Sequence, residues 1–320
     1  MFVGEASWKI ILKMNNKQSK VTIVGGSGCI GSHTVDLMLK HNINVHVIDI
    51  KEPHRGVVPY TECDITDYDS IEKALTGSDI VYVLAAVSDA NENYRDPVGS
   101  MNINLRGVNN VFQACVANNV SRAIFSSSVW VYNNCSETNV NEDTTIPSND
   151  IGHNYTASKI CGEMLLRSYT NMYGLKHTIM RYGIAYGPRS SPDTVVSTFM
   201  KRAMSNQSLN ITGNGNIYRN FMYVTDHARA NLACMNKSAE NETINFDGPE
   251  SITIEQVAKY TKEVTGNDVD INYNSTRVGD YKGKVVSNDK SYRILNWKPV
   301  VGFKEGLHRH YNECRNNILI

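Results

Sequence analysis

The stretch Val21-Thr22-Ile23-Val24-Gly25-Gly26-Ser27-Gly28-Cys29-Ile30-Gly31 carries the strongest fold signal in this 320-residue sequence. Its apolar, β-branched start predicts a strand. The glycines follow with the spacing G-x-x-G-x-x-G, directly before an amphipathic pattern at residues 30–41 that predicts a helix. Glycines let a backbone approach a pyrophosphate, and a helix N-terminus supplies amide donors. We therefore predict a dinucleotide-binding turn, with these candidate cofactor contacts: Gly25, Gly28, Cys29, Ile30 and Gly31.

Short β-rich runs alternate with helical patterns along the first half of the chain. The runs lie at residues 45–50, 80–84, 122–126 and 178–182, and helical patterns between them lie at 67–75 and 101–118. This alternation predicts a parallel sheet with right-handed crossovers. The pattern changes after Gly187-Pro188: glycine and asparagine cluster at residues 213–220, and we expect the later segments to be irregular until a helix at residues 254–265. The predicted fold class is α/β, a Rossmann-type doubly wound parallel sheet with a smaller, partly interleaved α/β substrate-binding domain.

We place the domain boundaries where the pattern changes. Residues 1–19 are predicted to be an N-terminal extension, and residues 20–184 to form the cofactor domain. Residues 226–247 are expected to return to that domain, and the substrate-binding domain is expected to comprise residues 185–225 and 248–320.

An acidic residue ends the second predicted strand. Asp49 lies about 20 residues beyond the glycine turn, where a carboxylate can accept hydrogen bonds from the adenosine ribose. Because a carboxylate repels a 2′-phosphate, Asp49 favours NAD over NADP, although Arg55 nearby leaves NADP open. Softer candidates for cofactor contacts follow the third and fourth strands: Asp64, Ile65, Leu84, Ala85 and Ala86.

A tyrosine and a lysine are spaced for one face of a helix. Tyr155 and Lys159 stand at i and i+4, and a lysine cation beside a phenol favours the phenolate, so we expect it to bring the pKa of Tyr155 towards working pH. Ser128 follows the predicted fifth strand, at the sheet edge where open α/β folds bind ligands. The three side chains are therefore candidate catalytic residues.

The composition limits the partners and the compartment. Lysine plus arginine (32) equals aspartate plus glutamate (32), so no broad basic surface for nucleic acid or an anionic membrane is expected. The seven cysteines are scattered without a C-x-x-C pair, which favours free thiols over a metal site or a disulfide framework. We expect no metal, no membrane span and a cytoplasmic location.

Further motifs occur in one characteristic order. They are the glycine turn, Asp49, Ser126-Ser127-Ser128-Val129-Trp130-Val131-Tyr132, Tyr155-x-x-x-Lys159, Arg181-Tyr182-Gly183-Ile184-Ala185-Tyr186-Gly187-Pro188 and Arg219-Asn220-Phe221-Met222-Tyr223-Val224-x-Asp226. From about residue 21 to residue 307, the sequence resembles the extended short-chain dehydrogenase/reductase family. Within it, the likeness is to the NAD-dependent nucleotide-sugar epimerases and dehydratases, of the UDP-glucose 4-epimerase type.

The resemblance implies roles for individual residues. Tyr155 would be the catalytic base, Lys159 would hold the nicotinamide ribose, and Ser128 would bind the reacting sugar hydroxyl beside Tyr155. Asn104 falls where the family has an asparagine near the cofactor. Residues 101–118 and 155–173 match the two helices that form a four-helix homodimer interface in relatives.

A nucleotide-diphosphate sugar needs cations at its phosphates. Arg219 and Arg277 are the candidates, since Arg277-Val278-Gly279-Asp280 resembles the family's Arg-x-Gly-Asp and guanidinium groups bind phosphate bidentately. The chain departs from the family at Ile184, where an asparagine near the substrate phosphates is common. This departure puts the usual diphosphate contact in question.

The residues that follow the Ser128 hydroxyl reduce the number of reactions that the resemblance allows. The family's 4,6-dehydratases carry Thr-Asp-Glu where this chain has Ser128-Val129-Trp130, and its fucose-forming epimerase/reductases place a cysteine where Val129 stands. The expectation is therefore a 4-epimerase that works through a transient 4-keto sugar. A 4-keto-sugar reductase or another dehydratase or oxidoreductase of the family is the alternative, and a non-catalytic NAD-binding regulatory scaffold is the alternative outside enzymes.

Overall fold

The computed structural model describes residues 19–147, 149–274 and 283–318. Its central sheet contains seven strands, β1 (Lys20–Val24), β2 (Asn44–Asp49), β3 (Tyr60–Glu62), β4 (Ile80–Val83), β5 (Arg122–Ser128), β7 (Lys176–Tyr182) and β11 (Glu242–Phe246). Every neighbouring pair is parallel, in the order β11-β7-β5-β4-β1-β2-β3. This confirms the predicted Rossmann-type sheet and puts the carboxyl ends of all seven strands along one edge.

Helices cover both faces of this sheet. They are α1 (Cys29–Lys40), α2 (Tyr68–Ala74), α3 (Ala90–Arg95), α4 (Pro97–Met101), α5 (Val108–Ala117), α6 (Asn154–Tyr173) and α8 (Val224–Ala233). Successive side chains of a strand point to opposite faces. Accordingly Ile23 packs in the core with α1 and α8, whereas Val24 packs in the core with α5 and α6. The two apolar layers hold the sheet from both sides.

One predicted helix is divided in the structure. Where the sequence predicts a single helix at residues 101–118, α4 ends at Met101, a π-helix spans Asn102–Gly107, and α5 follows directly. A π-helix inserts one extra residue per turn and changes which side chains face inward. The insertion leaves Asn104 buried, and its side chain bonds to the loop after β4.

The remaining elements are β6 (Asn139–Val140), β8 (Ile184–Tyr186), α7 (Val195–Met204), β9 (Leu209–Thr212), β10 (Tyr218–Tyr223), β12 (Ser251–Thr253), α9 (Ile254–Thr265), β13 (Ile271–Asn274), β14 (Val285–Val286), α10 (Asp289–Leu295) and α11 (Phe303–Ile318). Most of them form a second apolar core, but β6 and β14 pack in a small separate cluster and α10 packs against the core of the main sheet. A three-stranded sheet, β12-β10-β8, lies among α7, α9 and α11. Strand β11 then pairs with β7 of the main sheet. The domain boundaries given above stay a prediction.

The expectation of irregular structure between residue 220 and the helix at 254–265 is wrong, because α8 and β11 lie there. Helix α7, before that segment, was not predicted. It begins with Thr194 as its N-cap and buries Val196, Phe199, Met200 and Ala203. These positions have the i, i+3, i+4, i+7 spacing of one helix face. The helix was hidden because polar residues separate the apolar ones and glycine and asparagine dominate the segment that follows.

Two further features concern the chain as a whole. All seven cysteines lie within the described residues and are free thiols. None of the described helices combines the length and the apolar character that crossing a membrane requires.

Candidate functional site

The glycine turn brings two backbone segments into direct contact. Gly28 is the N-cap of α1, and Gly25 has φ of +87°, a conformation that side chains disfavour. A Cβ atom on Gly25 would lie 2.4 Å from the backbone nitrogen of Ala85, and one on Gly31 would lie 2.1 Å from the oxygen of Gly25. Glycine is therefore required at both positions. The turn leaves the N-terminus of α1 open beside the end of β4, as a pyrophosphate site needs.

Asp49 ends β2 beside this turn. Its carboxylate accepts hydrogen bonds from the backbone nitrogens of Ser27 (2.9 Å) and Lys51 (3.1 Å), which fix its orientation. Arg55 instead pairs with Asp36 on the outer face of α1 at 2.5 Å. The arginine that left NADP open is thus engaged away from Asp49, and the arrangement fits NAD.

The end of β4 lies against the glycine turn. The backbone nitrogens of Leu84 and Ala85 donate to the oxygen of Val24, at 2.8 and 3.0 Å, and Leu84, Ala85 and Ala86 are half-buried. Asn104 holds the next residues in place, because its side chain accepts from the nitrogen of Val87 (2.7 Å) and donates to the oxygen of Val87 (2.9 Å). Asn104 therefore fixes the loop that a cofactor would lie on.

Asp64 and Ile65 differ in their surroundings. Asp64 is exposed and its carboxylate accepts from the nitrogen of Thr66 at 2.9 Å. Ile65 is 5% exposed and packs in the core, where a Cβ atom on Gly107 would come within 2.6 Å of it. The structure leaves Asp64 available to a ligand, whereas Ile65 chiefly fills the space above Gly107.

Three candidate catalytic side chains meet at the end of β5. Helix α6 begins at Asn154, so Tyr155 and Lys159 lie one turn apart near its start. The Nζ atom of Lys159 donates to the oxygen of Ser126 at 2.7 Å and lies 5.6 Å from the centre of the Tyr155 ring. Tyr155 and Ser128 share a side-chain hydrogen bond. The spacing in sequence and the strand end therefore place all three groups together.

Burial, rather than the neighbouring charge, dominates the titration of this pair. Burial raises the pKa of Tyr155 to about 12, although the hydrogen bond from Ser128 opposes the shift. Burial lowers the pKa of Lys159 to about 7. The expectation that Lys159 brings the pKa of Tyr155 towards neutrality is therefore wrong for the protein by itself. The low dielectric of the site disfavours both charged forms before their attraction can act.

The structure adds side-chain contacts that the motifs did not indicate. Trp130 lies edge-on to Tyr155, with 6.1 Å between the ring centres, and forms one wall beside the phenol. Glu163 and Arg181 form a buried ion pair behind Ser128. The signal for Glu163 was its position four residues after Lys159, which puts both side chains on one face of α6.

Arg219 and Ile184, two residues of the predicted substrate region, lie in the smaller sheet. Arg219, on β10, is 6% exposed, and its Nη1 atom donates to the oxygen of Tyr218 at 3.0 Å. Ile184, on β8, is opposite Phe221 and packs against the second core. Arg277 lies outside the described residues. The described chain resumes at Gly283, whose Cα packs against the Tyr218 ring (a Cβ there would be 2.9 Å from it), beside Arg219 in sequence.

Comparisons with known proteins agree on one family. The model of the NAD dependent epimerase/dehydratase family matches residues 21–246. A UDP-glucose 4-epimerase from Thermotoga maritima, solved with UDP-glucose, is 30% identical with a TM-score of 0.87, covering 93% of this chain and 99% of that one. The Thermus thermophilus UDP-glucose 4-epimerase, solved with NAD, is 27% identical with a TM-score of 0.82, covering 92% and 99%. UDP-glucuronic acid decarboxylase 1 of Arabidopsis thaliana is 27% identical, over 99% of this chain and 74% of that protein.

Proposed function

Because the chain belongs to the NAD-dependent epimerase/dehydratase family, we propose that it is a nucleotide-sugar 4-epimerase that forms a transient 4-keto sugar. The observation that carries the proposal is the meeting of Ser128, Tyr155 and Lys159 beside the dinucleotide turn. No carboxylate follows Ser128, where Val129 is buried and Trp130 packs against Tyr155. An acid and a base for removing water from the sugar are thus missing at that position.

The proposed cycle uses each of the three side chains twice. Bound NAD would supply the reversible hydride chemistry at C4 of the sugar. Tyr155 removes the proton of the C4 hydroxyl as the C4–H bond breaks, and Lys159 supplies the positive charge that stabilises the phenolate. The Ser128 oxygen accepts from the nitrogen of Trp130 at 3.2 Å, and its proton, which bonds Tyr155 in the protein alone, would turn to the sugar oxygen. The keto sugar then presents its other face, and Tyr155 returns the proton.

The cofactor and substrate contacts are part of the same proposal. Arg219 and Arg277 would bind the substrate diphosphate, with Ile184 replacing a polar contact by an apolar one. Lys159 and Tyr155 would face the nicotinamide ribose, and the adenosine end would lie on the glycine turn. The proposed contacts there are Gly25, Gly28, Cys29, Ile30, Gly31, Asp49, Asp64, Ile65, Leu84, Ala85, Ala86 and Asn104.

We propose a second copy of the chain as the protein partner. Helices α4 to α6 and the π-helix share an open apolar groove of about 790 Å³, lined by Met101, Leu105, Arg106, Asn109, Cys161, Met164, Leu165 and Ser168. Met164 is 64% exposed, an unusual exposure for a large apolar side chain within such a groove. Association of two such faces would bury these side chains in a four-helix arrangement.

The test is a panel of nucleotide sugars incubated with the NAD-loaded protein. The panel should contain UDP-glucose, UDP-galactose, UDP-glucuronic acid and the corresponding dTDP sugars, with products read by mass and NMR. An unchanged mass with inverted C4 supports the epimerase. Loss of water indicates a dehydratase, loss of carbon dioxide a decarboxylase, and a gain of two hydrogens with consumption of NAD(P)H a reductase. Conversion of no sugar at all favours the regulatory scaffold.

A further inference from the structure

The segment at residues 127–132, which carries Ser128, is bonded at both ends to one buried ion pair. At its start, the Ser127 hydroxyl donates to Oε1 of Glu163 at 2.6 Å. At its end, Nη1 of Arg181 donates to the Tyr132 hydroxyl at 2.7 Å. Glu163 and Arg181 are joined by two parallel hydrogen bonds of 2.9 and 2.8 Å. A bidentate pair of this kind is planar and directional, so it fixes both ends of the segment relative to each other.

The pair is fully enclosed and keeps its charges. Side chains of Glu163 and Arg181 are 2% and 4% exposed. Burial alone would raise the pKa of the Glu163 carboxyl, but the hydrogen bonds and charge of Arg181 outweigh it and hold the pKa below its ordinary value. Such a buried pair adds little net stability compared with apolar packing. A contribution to the geometry of the site is therefore the more informative explanation for it.

The same carboxylate is fixed to the helix that carries the proposed base. Glu163 lies on α6 one turn beyond Lys159 and two turns beyond Tyr155. Close packing holds this helix against β5, since a Cβ atom on Gly162 would lie 2.5 Å from the Phe125 ring. Glu163 therefore links two parts of the site. It lies on the same helix as Tyr155, and it is hydrogen-bonded to the segment that carries Ser128.

We propose that the Glu163–Arg181 pair is a positioning device that sets the distance between Ser128 and Tyr155 by clamping residues 127 and 132. Both side chains are enclosed and have no surface to offer a sugar or a cofactor, so Glu163 and Arg181 are positioning residues. This inference rests on the proposed function for the statement that Ser128 and Tyr155 react with the sugar. Catalytic groups must be held within about 0.5 Å of their productive geometry. Releasing the clamp should therefore lower the rate of the reaction.

Two substitutions release one end of the clamp each and leave the ion pair intact. Ser127→Ala removes the bond to Glu163. Tyr132→Phe removes the bond from Arg181, together with the bond that the Tyr132 hydroxyl donates to Asn245 at 2.9 Å. In NAD-loaded protein, each is expected to lower kcat about tenfold while KM and the Kd for NAD stay unchanged, because only the alignment of the reacting groups is lost. The double variant should lose less than the product of the two single effects, since both act on one segment.

A matched control separates positioning from a general loss of stability. Thr178 lies on β7 and its buried hydroxyl donates to the oxygen of Ala239 at 2.6 Å. Thr178→Val deletes a buried hydroxyl bond of the sheet that is not connected to the clamp. It should lower the free energy of unfolding as Ser127→Ala does, yet leave kcat at the wild-type value. Equal kcat in Ser127→Ala, Tyr132→Phe and Thr178→Val would overturn the proposal.

Crystal structures of the NAD-bound variants give a readout that needs no turnover. The proposal expects the Ser128 and Tyr155 side chains to separate by more than about 0.5 Å in Ser127→Ala and Tyr132→Phe, and to keep their positions in Thr178→Val. Unmoved side chains in the first two variants overturn the clamp even if no sugar is converted. Absence of turnover in the wild type together with the displacement would overturn only the proposed function.

Discussion

The Nζ atom of Lys159 lies 5.6 Å from the centre of the Tyr155 ring, and its hydrogen bond goes to the backbone oxygen of Ser126. The ammonium group therefore faces the phenol without being hydrogen-bonded to it. Burial raises the pKa of Tyr155 to about 12 and lowers that of Lys159 to about 7. A phenol and an ammonium group are thus placed together in a site that disfavours the charged form of each.

Tyr155→Phe tests the proposed base. The substitution removes one hydroxyl and keeps the ring that packs against Trp130. Turnover of the nucleotide sugar should fall by about 1,000-fold, since a general base typically contributes about 10²–10⁴-fold to the rate. The Kd for NAD, measured by calorimetry, should change little. Retained turnover would remove Tyr155 from this role.

Lys159→Met should separate stability from activity. The folded state lowers the pKa of Lys159 to about 7, whereas the unfolded chain keeps it near 10.5, so the unfolded state binds the extra proton between these values. Folding stability is therefore lost as pH falls from about 10.5 to 7. Replacing the lysine should raise the free energy of unfolding at pH 7.5 by up to about 4 kcal/mol, less the hydrogen bond to Ser126 that is lost, and abolish turnover. Urea unfolding that shows a destabilised variant would contradict the burial argument.

Asp49→Asn should weaken the preference for NAD over NADP. The carboxylate stands where it can repel a 2′-phosphate, and the amide removes that repulsion. The ratio of the two dissociation constants should move towards NADP by about tenfold. Glu62→Gln is the matched control. Glu62 is exposed and lies opposite Asp49 on β3, and its substitution removes the same formal charge. An equal shift in the control would mean that bulk charge, not position, sets the preference.

His227 should make the fold sensitive to mild acid. Burial, together with the nearby charge of His33, lowers the pKa of His227 to about 3. Between about pH 6.5 and 3 the unfolded chain holds the proton and the folded protein does not, so stability falls as pH decreases through this range. At pH 5 the buried neutral His227 lowers the free energy of unfolding by about 2 kcal/mol. His227→Leu should reduce the loss of unfolding free energy between pH 7.5 and 5 by that amount in urea titrations.

Met164→Asp should disrupt self-association. Met164 stands on the exposed apolar groove of α6, and a carboxylate there would be desolvated in an interface between two copies. Sedimentation should show a dimer for the wild type and a monomer for the variant. Val57→Asp, at an 83% exposed apolar residue outside this groove, should remain a dimer. A monomeric wild type would contradict the proposed partner.

The parallel sheet and the glycine turn were predictable because their residues obey local rules. Gly25 and Gly31 must be glycine wherever this turn is made, and alternating strands and helices leave few topologies. Tyr155 and Lys159 were found in the same way, since four-residue spacing on a helix is a local property. Short-range pattern therefore determined most of the fold and the centre of the site.

What escaped prediction depends on contacts between distant segments. The π-helix around Asn104 places its side chain in hydrogen bonds with Val87, in the loop after β4. The clamp of Glu163 and Arg181 joins residues from different strands and helices. The burial that controls the pKa of Lys159 likewise arises from the assembled core, so composition and spacing could not reveal it.

The most direct test of hydride removal and return at C4 uses the nucleotide sugar that the panel shows to be converted, deuterated at C4, with the NAD-loaded protein. The proposed cycle predicts a product inverted at C4 that retains the deuterium there, with no net reduction of NAD. Inversion at C4 with the deuterium lost to solvent, or a product altered in mass, would contradict it.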